Sequence, residues 1–256
     1  GAGEANNMDL LWVVMKPSWK PVDTLGLIED PWVEPGEYEY SDSNNYLLGM
    51  VAELHNGKDL HVLYRERLFN PLDIAAVLLP DEPVPEGTAR PHTDLAYWGG
   101  SGFGDMIEWD LIQFGYTPDT WYEQDARLSW ATAGIVSTPA NIARWGYELY
   151  SDNGSAISEQ SRSILLNSFN DEIISLAGEP QHYGYFVAKR NFLLEDGTSL
   201  SVVGHPGGGA GYTSGFFYSS SLDISISILS NSNLEYARRE GGCSEYGAGD
   251  CIAWGL

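Results

Sequence analysis

Two short segments carry side chains that can give, take or steer protons. One is Tyr40-Ser41-Asp42, a phenol and a carboxylate two residues apart, directly before a helical pattern. The other is Gly204-His205-Pro206-Gly207-Gly208-Gly209-Ala210-Gly211-Tyr212, which reads as a glycine-rich turn carrying an imidazole between two strands. In isolation, Tyr40 reads as a strand-end aromatic with its hydroxyl in water, and His205 as a loop histidine beside a hairpin. Gly207 to Gly209 could cradle a phosphate, but no lysine follows and the local charge is wrong for it. His55, His61, His92 and His182 show no paired metal-ligand spacing, and Cys243 and Cys251 have no histidine beside them, so neither a metal site nor a cofactor is expected. The string Gly99-Gly100-Ser101-Gly102-Phe103 misses a Gly-x-Ser-x-Gly nucleophile elbow because Phe103 stands where glycine is required.

The 256 residues are 43% hydrophobic and 12% aromatic, enough for a packed core and too much for a disordered chain. Thirteen basic against 36 acidic residues give a net charge of −23. Such a chain repels phosphate backbones and anionic lipid, which excludes a nucleic-acid partner. The acids are scattered, which fits either an ordinary well-solvated surface or adaptation to salt or an extracellular setting. The longest apolar stretches, such as Ile74 to Pro80, are too short to span a bilayer. Residues 1 to 7 have neither a basic nor an apolar leader region, and the start Gly-Ala-Gly leads us to expect that an upstream portion has been removed. Cys243 and Cys251 sit in a glycine-rich tail, EGGCSEYGAGDC, where a disulfide is a plausible staple; the alternative is a pair of reduced thiols. The disulfide reading implies an oxidising compartment, secreted or periplasmic.

The elements that must position these residues change type along the chain. Pro17, Pro21, Pro31 and Pro35, interleaved with tryptophans, make the start a loop with short turns. From Asn44 the pattern is helical, with Leu47, Met50, Val51 and Leu54 on one face and Asn56-Gly57 as the stop. A short helix is expected at about Leu60 to Leu68, closed by Asn70-Pro71. Residues 80 to 130 read as loop, with Tyr97, Trp98, Trp109, Tyr116 and Trp121 packing as a wall over a pocket. Thr138 and Pro139 open a helix whose Ile142, Trp145, Gly146 and Leu149 share a face, and Ser158 caps another to about Asn167. Strands are expected at Tyr183–Phe192, Ser199–Gly204, Gly211–Ser219 and Leu222–Ser230, with a hairpin turn at Glu195 to Thr198. Ile224, Ile226 and Ile228 alternate with Ser225 and Ser227, which predicts a half-buried strand.

Four strings in this order resemble the serine β-lactamase and penicillin-binding-protein-like hydrolases, in particular the class C, DD-peptidase and esterase branch. YSDSNNYLLGMVAE resembles the Tyr-x-Asn segment, and ERLFNPLDI a helix ending in a Pro-Leu turn. ATAGIVSTPANIARWGYEL resembles the glycine–Ser-Thr helix start, and VVGHPGGGAGYTSGFFYSSSLDISISILSNS the third motif with the last two strands. The resemblance runs from about Gly26 to Asn233. It implies an α+β fold, an antiparallel sheet flanked by helices with a helical and loop lobe, whose N-terminal part lies outside this chain. Residues 1–233 would be the β-lactamase-like domain and 234–256 the tail.

The family works by acyl transfer through a Ser-x-x-Lys nucleophile. Carried over, Tyr40 would be the general base, its phenol lowered by a nearby cation. Asp42 stands where the family usually has asparagine, an exchange that could favour substrates bearing an amine. His205-Pro206-Gly207 matches the Lys/His-Thr-Gly triplet, with glycine at 207 for close approach of substrate and the Gly208 N–H as an oxyanion-hole donor. Pro206 offers neither the hydroxyl that binds a substrate carboxylate nor an N–H, and it fits a strand only at a sheet edge. This argues for ester or amide substrates over β-lactams. The residues three before Lys16, Lys20, Lys58 and Lys189 are Val13, Pro17, His55 and Phe186, so these 256 residues contain no Ser-x-x-Lys. Two expectations follow. One is a serine hydrolase acting on a small ester, amide or peptide, its nucleophile supplied by an N-terminal partner segment or chain. The other is a non-catalytic relative serving in binding or assembly.

Overall fold

The 14-residue helix over Ser43–Asn56 forms where the spacing predicts it, and Gly57 ends it in the left-handed conformation at φ 62°. The computed structural model describes residues 18–28, 38, 40–90, 130–170, 173–174, 180–209 and 212–231. These fall into two units. The first holds the residues up to Phe69, Ala76–Thr88 and 130–136; the second holds Asn70–Ala75, residues 89–90 and those from Ser137 onward.

In the first unit, α1 (Pro21–Leu25) gives the proline-rich start one short helix. It is followed by α2 (Ser43–Asn56), α3 (Leu60–Tyr64) and a π-type turn over Arg65–Phe69, which replaces the continuous helix expected to Leu68. Strand β1 (Ala76–Leu78) pairs with β2 (Ile135–Ser137). The core is Tyr46, Leu60, Leu78 and Trp130, with Trp19, Leu25, Met50 and Tyr64 packed against it. The face of α2 that is buried therefore differs from the expected one. Tyr46 and Gly49 turn inward, whereas Leu47, Val51 and Leu54 are exposed, Leu54 to 82%. Gly49 decides this: a Cβ there would come within 2.9 Å of the Trp130 ring, so the bare glycine face is the one that can seat on the indole.

The second unit is a six-stranded antiparallel sheet in the order β3-β4-β5-β6-β7-β8, with two helices, α4 (Pro139–Tyr150) and α5 (Glu159–Leu166). Both caps act as expected: Thr138 accepts from the Asn141 N–H and Ser158 from the Ser161 N–H. The strand expected over Tyr183–Phe192 is two strands, β4 (Pro180–Tyr183) and β5 (Ala188–Leu193). Phe186, at φ 56°, lies in the turn that separates them. Strand β3 (Ile173–Ile174) pairs with β4. Strand β6 (Ser199–Gly209) absorbs the glycine-rich segment that reads as a turn, and β7 (Tyr212–Ser219) and β8 (Ile224–Ser230) complete the sheet. The hairpin at Glu195 to Thr198 forms, with Gly197 at φ 82° and Leu194 N–H donating to the Thr198 carbonyl.

Strand β8 is half-buried, as its alternation predicts. Ile224 and Ile226 are about half exposed, Ile226 to 52%, and the serine face packs inward. The reason is the close crossing of α4 over the sheet, where a Cβ on Gly146 would lie 2.5 Å from Ser225 Oγ and 3.1 Å from Phe216. Only a small residue fits at 225. Tyr150, Val187 and Tyr218 form the core on this side, joined by Phe216, Leu165 and Leu166.

Asp223 ties this helix to the β7–β8 turn. Its carboxylate accepts from Ser151 Oγ at 2.8 Å, from the Tyr218 hydroxyl at 2.9 Å and from the Tyr147 hydroxyl at 3.1 Å. Its backbone sits at φ 50°, a conformation that aspartate tolerates better than most residues. The Ser151 hydroxyl, with the Tyr218 hydroxyl next, holds the Asp223 carboxyl below its usual value of 3.8. The native state then binds fewer protons than the unfolded chain, so this contribution is present above about pH 4 and is lost as pH falls further. Asp223→Asn is expected to lower the Tm at pH 7 and to flatten the fall of Tm on acidification below about pH 4. Thermal melts of both proteins across pH check this; parallel curves would refute it.

Candidate active site

Tyr40 and Asp42 belong to the first unit and reach their positions through α2. The helix is pinned by Tyr46, whose ring centroid lies 5.8 Å from that of Trp130 and 6.5 Å from that of Trp19. Asp42 is the residue before the first turn. Its carbonyl accepts from the Asn45 and Tyr46 N–H groups at 3.0 and 3.3 Å, while its side chain makes no cap bond to the helix. The carboxylate instead accepts the hydrogen bond of the Tyr40 phenol.

That pairing sets the electrostatics of Tyr40 against the expectation of a lowered phenol. Burial, then the Asp42 charge and its hydrogen bond, then Tyr38, push Tyr40 up to about 12. A carboxylate accepting from a phenol stabilises the neutral form, since ionising the tyrosine would bring two negative charges together. Within this unit Tyr40 is a hydrogen-bond donor, and it becomes a base only when a cation offsets Asp42.

His205, Gly207 and Gly208 lie on β6 in the second unit. Strand β6 is interior to the sheet, so the expectation that Pro206 lies on an edge strand is corrected in detail. Pairing with β5 ends at Ala188↔Gly204, whereas pairing with β7 continues through His205↔Phe216, Pro206↔Gly215, Gly207↔Ser214 and Gly208↔Thr213. Beyond Gly204 the strand is a local edge, and Pro206 is accommodated in that overhang.

The two glycines there meet different surroundings. A Cβ on Gly207 would lie 2.3 Å from Ser214 Oγ on the neighbouring strand. Among the described residues, a Cβ on Gly208 meets nothing within 4 Å. His205 is held by a contact that the local sequence does not reveal. Its Nε2 lies 2.7 Å from the Tyr183 hydroxyl, with the rings edge to face at 5.6 Å, and its Nδ1 lies against the Pro206 carbonyl. Tyr183 is 22 residues away in sequence and comes close only through the register of β4, β5 and β6.

Among the described residues, no group of three or more His, Cys, Asp or Glu side chains could hold a metal, and no helix is long and apolar enough to cross a membrane. The aromatic stretch from Tyr97 to Trp121 and the pair Cys243 and Cys251 lie outside the described residues.

The Beta-lactamase family matches residues 19–242. The chain belongs to that family. Its α+β architecture is also that of solved relatives. A penicillin-binding protein from Bacillus halodurans superposes with a TM-score of 0.65 at 17% identity, over 91% of this chain and 65% of that one. A D-amino acid amidase from Ochrobactrum anthropi SV3, complexed with L-phenylalanine amide, gives 0.64 at 19% identity, over 86% and 59%. A D-stereospecific amidohydrolase from Streptomyces sp. gives 0.62 at 17% identity, over 87% and 58%. The chain thus spans about three fifths of these structures. No curated protein matches the sequence.

Asp42→Asn removes the charge that opposes ionisation of Tyr40. The Tyr40 pKa is expected to fall from about 12 part of the way to its ordinary value of 10, burial keeping the remainder. A pH titration of 13C-labelled tyrosine by NMR, with Tyr40 assigned through Tyr40→Phe, measures it. An unmoved titration would show that Asp42 does not govern the phenol.

Proposed function

We propose that this chain is the larger part of a serine acyl hydrolase that cleaves ester or amide bonds through an acyl-enzyme. The nucleophilic Ser-x-x-Lys is supplied from outside these 256 residues. The observation that carries this reading is the overhang of β6. Among the described residues, 205–209 pair on one side only and a Cβ on Gly208 meets nothing within 4 Å. A strand edge with a bare glycine allows a substrate carbonyl to approach backbone N–H groups, which is what stabilisation of a tetrahedral oxyanion requires. In this reading the Gly208 N–H is the donor, and Tyr40 handles the nucleophile's proton once a lysine ammonium offsets Asp42.

The amidase and amidohydrolase names among the structural neighbours support an amide substrate, and Asp42 gives such a substrate's amine an anionic partner. The net charge of −23 suits a secreted or periplasmic enzyme. A second reading, a non-catalytic binding or assembly protein, is favoured by the same Tyr40, because burial and Asp42 both oppose formation of the phenolate that a general base needs.

Treating the native protein with a fluorophosphonate probe and measuring intact masses separates the two. Acyl hydrolysis requires a labelled serine in a Ser-x-x-Lys segment that belongs to or co-purifies with the chain; no labelled species leaves the binding reading. Gly208→Ala is expected to keep the Tm within about 1 °C, since its methyl meets nothing, while cutting turnover at least about tenfold. Unchanged turnover would remove Gly208 from the site.

A further inference from the structure

The hydrogen-bond partners of His205 fix more than its position. A carbonyl oxygen only accepts, so the ring nitrogen against the Pro206 carbonyl, Nδ1, must be the one that carries the proton. In the neutral imidazole Nε2 is then bare, and the Tyr183 hydroxyl 2.7 Å away donates to it. Tyr183 is only 8% exposed, and its ring packs edge to face on the imidazole, so the donor cannot swing away without giving up that contact.

We infer that Tyr183 is a specificity-determining positioning residue. It locks His205 in the Nδ1–H tautomer and occupies the nitrogen whose N–H would otherwise be offered to a negatively charged group of the substrate. The neighbouring position adds to this, since Pro206 has neither a hydroxyl nor an N–H to offer. The end of β6 that frames the proposed oxyanion site therefore carries no side-chain donor for a carboxylate at 205 or 206. The substrate class it takes is an ester or amide whose acyl part is uncharged near the reacting carbonyl. This inference rests on the acyl-hydrolase reading for its kinetic consequence, but not for the tautomer.

The test has two arms on the native protein. Long-range 1H–15N NMR of 15N-histidine-labelled protein, with His205 assigned through His205→Gln, is expected to show a protonated Nδ1 and a hydrogen-bonded, unprotonated Nε2. Tyr183→Phe should shift that Nε2 resonance toward the value of a free pyridine-type nitrogen. In the second arm, kcat and KM are compared for p-nitrophenyl acetate and the mono-p-nitrophenyl ester of succinic acid. Wild type is expected to favour the acetate. Tyr183→Phe removes the donor that holds Nε2, so the ring can turn an N–H toward the carboxylate and the preference should narrow about tenfold, through a lower KM for the charged ester. A purely structural role for Tyr183 would not improve binding of one substrate. An Nε2–H tautomer in wild type, or an Nε2 resonance and an ester preference both untouched by Tyr183→Phe, overturns the proposal. Hydrolysis of neither ester overturns the hydrolase reading and leaves the tautomer to be decided by the first arm.

Discussion

The end of β5 at the Ala188↔Gly204 pair is the constraint on which the second unit's chemistry depends. Because β6 runs on to Gly209 with β7 as its one paired strand among the described residues, its backbone is held by that neighbour after its pairing with β5 has ended. A fully paired strand would bury every N–H in the ladder, and an unpaired loop would present them without fixed direction. The half-paired segment gives both order and access. Gly204 shows how tightly that order is set, since a Cβ there would fall 2.0 Å from the Phe216 carbonyl oxygen. The same early end of β5 brings Tyr183 beside His205, because the chain turns back at Gly184, whose N–H donates to the Val187 carbonyl.

The first unit presents the opposite situation, with well-fixed geometry around an unbalanced charge. Gly49 and Tyr46 seat α2 on Trp130, and this sets where the residues just before the helix can lie. The Tyr40 phenol and Asp42 carboxylate then meet, and burial of the phenol, followed by the Asp42 charge and hydrogen bond, raises Tyr40. A pair of this kind is stable as a neutral donor on a charged acceptor. Turning the donor into a base calls for a positive group nearby, a requirement that follows from the electrostatics alone.

How much of this could be read from the sequence depended on how local the determinants were. Thr138-Pro139, Ser158, Asn56-Gly57 and the turn at Asp196-Gly197 act through their own backbone neighbours, and each appears where its residues indicate. Hydrophobic periodicity was less informative wherever a glycine set the packing distance. Leu47, Val51 and Leu54 make a regular stripe, yet Gly49 draws the other face of α2 inward; the alternation along β8 does give a half-buried strand, but only the close approach of α4 at Gly146 decides that serine faces the helix. Periodicity reports which residues are apolar and not which face a neighbour can approach. At the candidate site, residue identities were legible and their states were not. The sequence places Asp42 two residues from Tyr40, but only burial and the hydrogen bond reveal that the phenol is raised. Tyr183 carried no local signal, because its tie to His205 arises from strand register across 22 residues.

Ser225 and Ser227 deserve a different description from the one their chemistry suggests. Among the described residues, both hydroxyls are buried and meet no hydrogen-bond partner. What the packing under α4 demands at these positions is small volume; a hydroxyl is incidental to it. Alternating Ile and Ser along β8 is therefore a steric code, large where the sheet is open and small where the helix crosses, written in residues that happen also to differ in polarity.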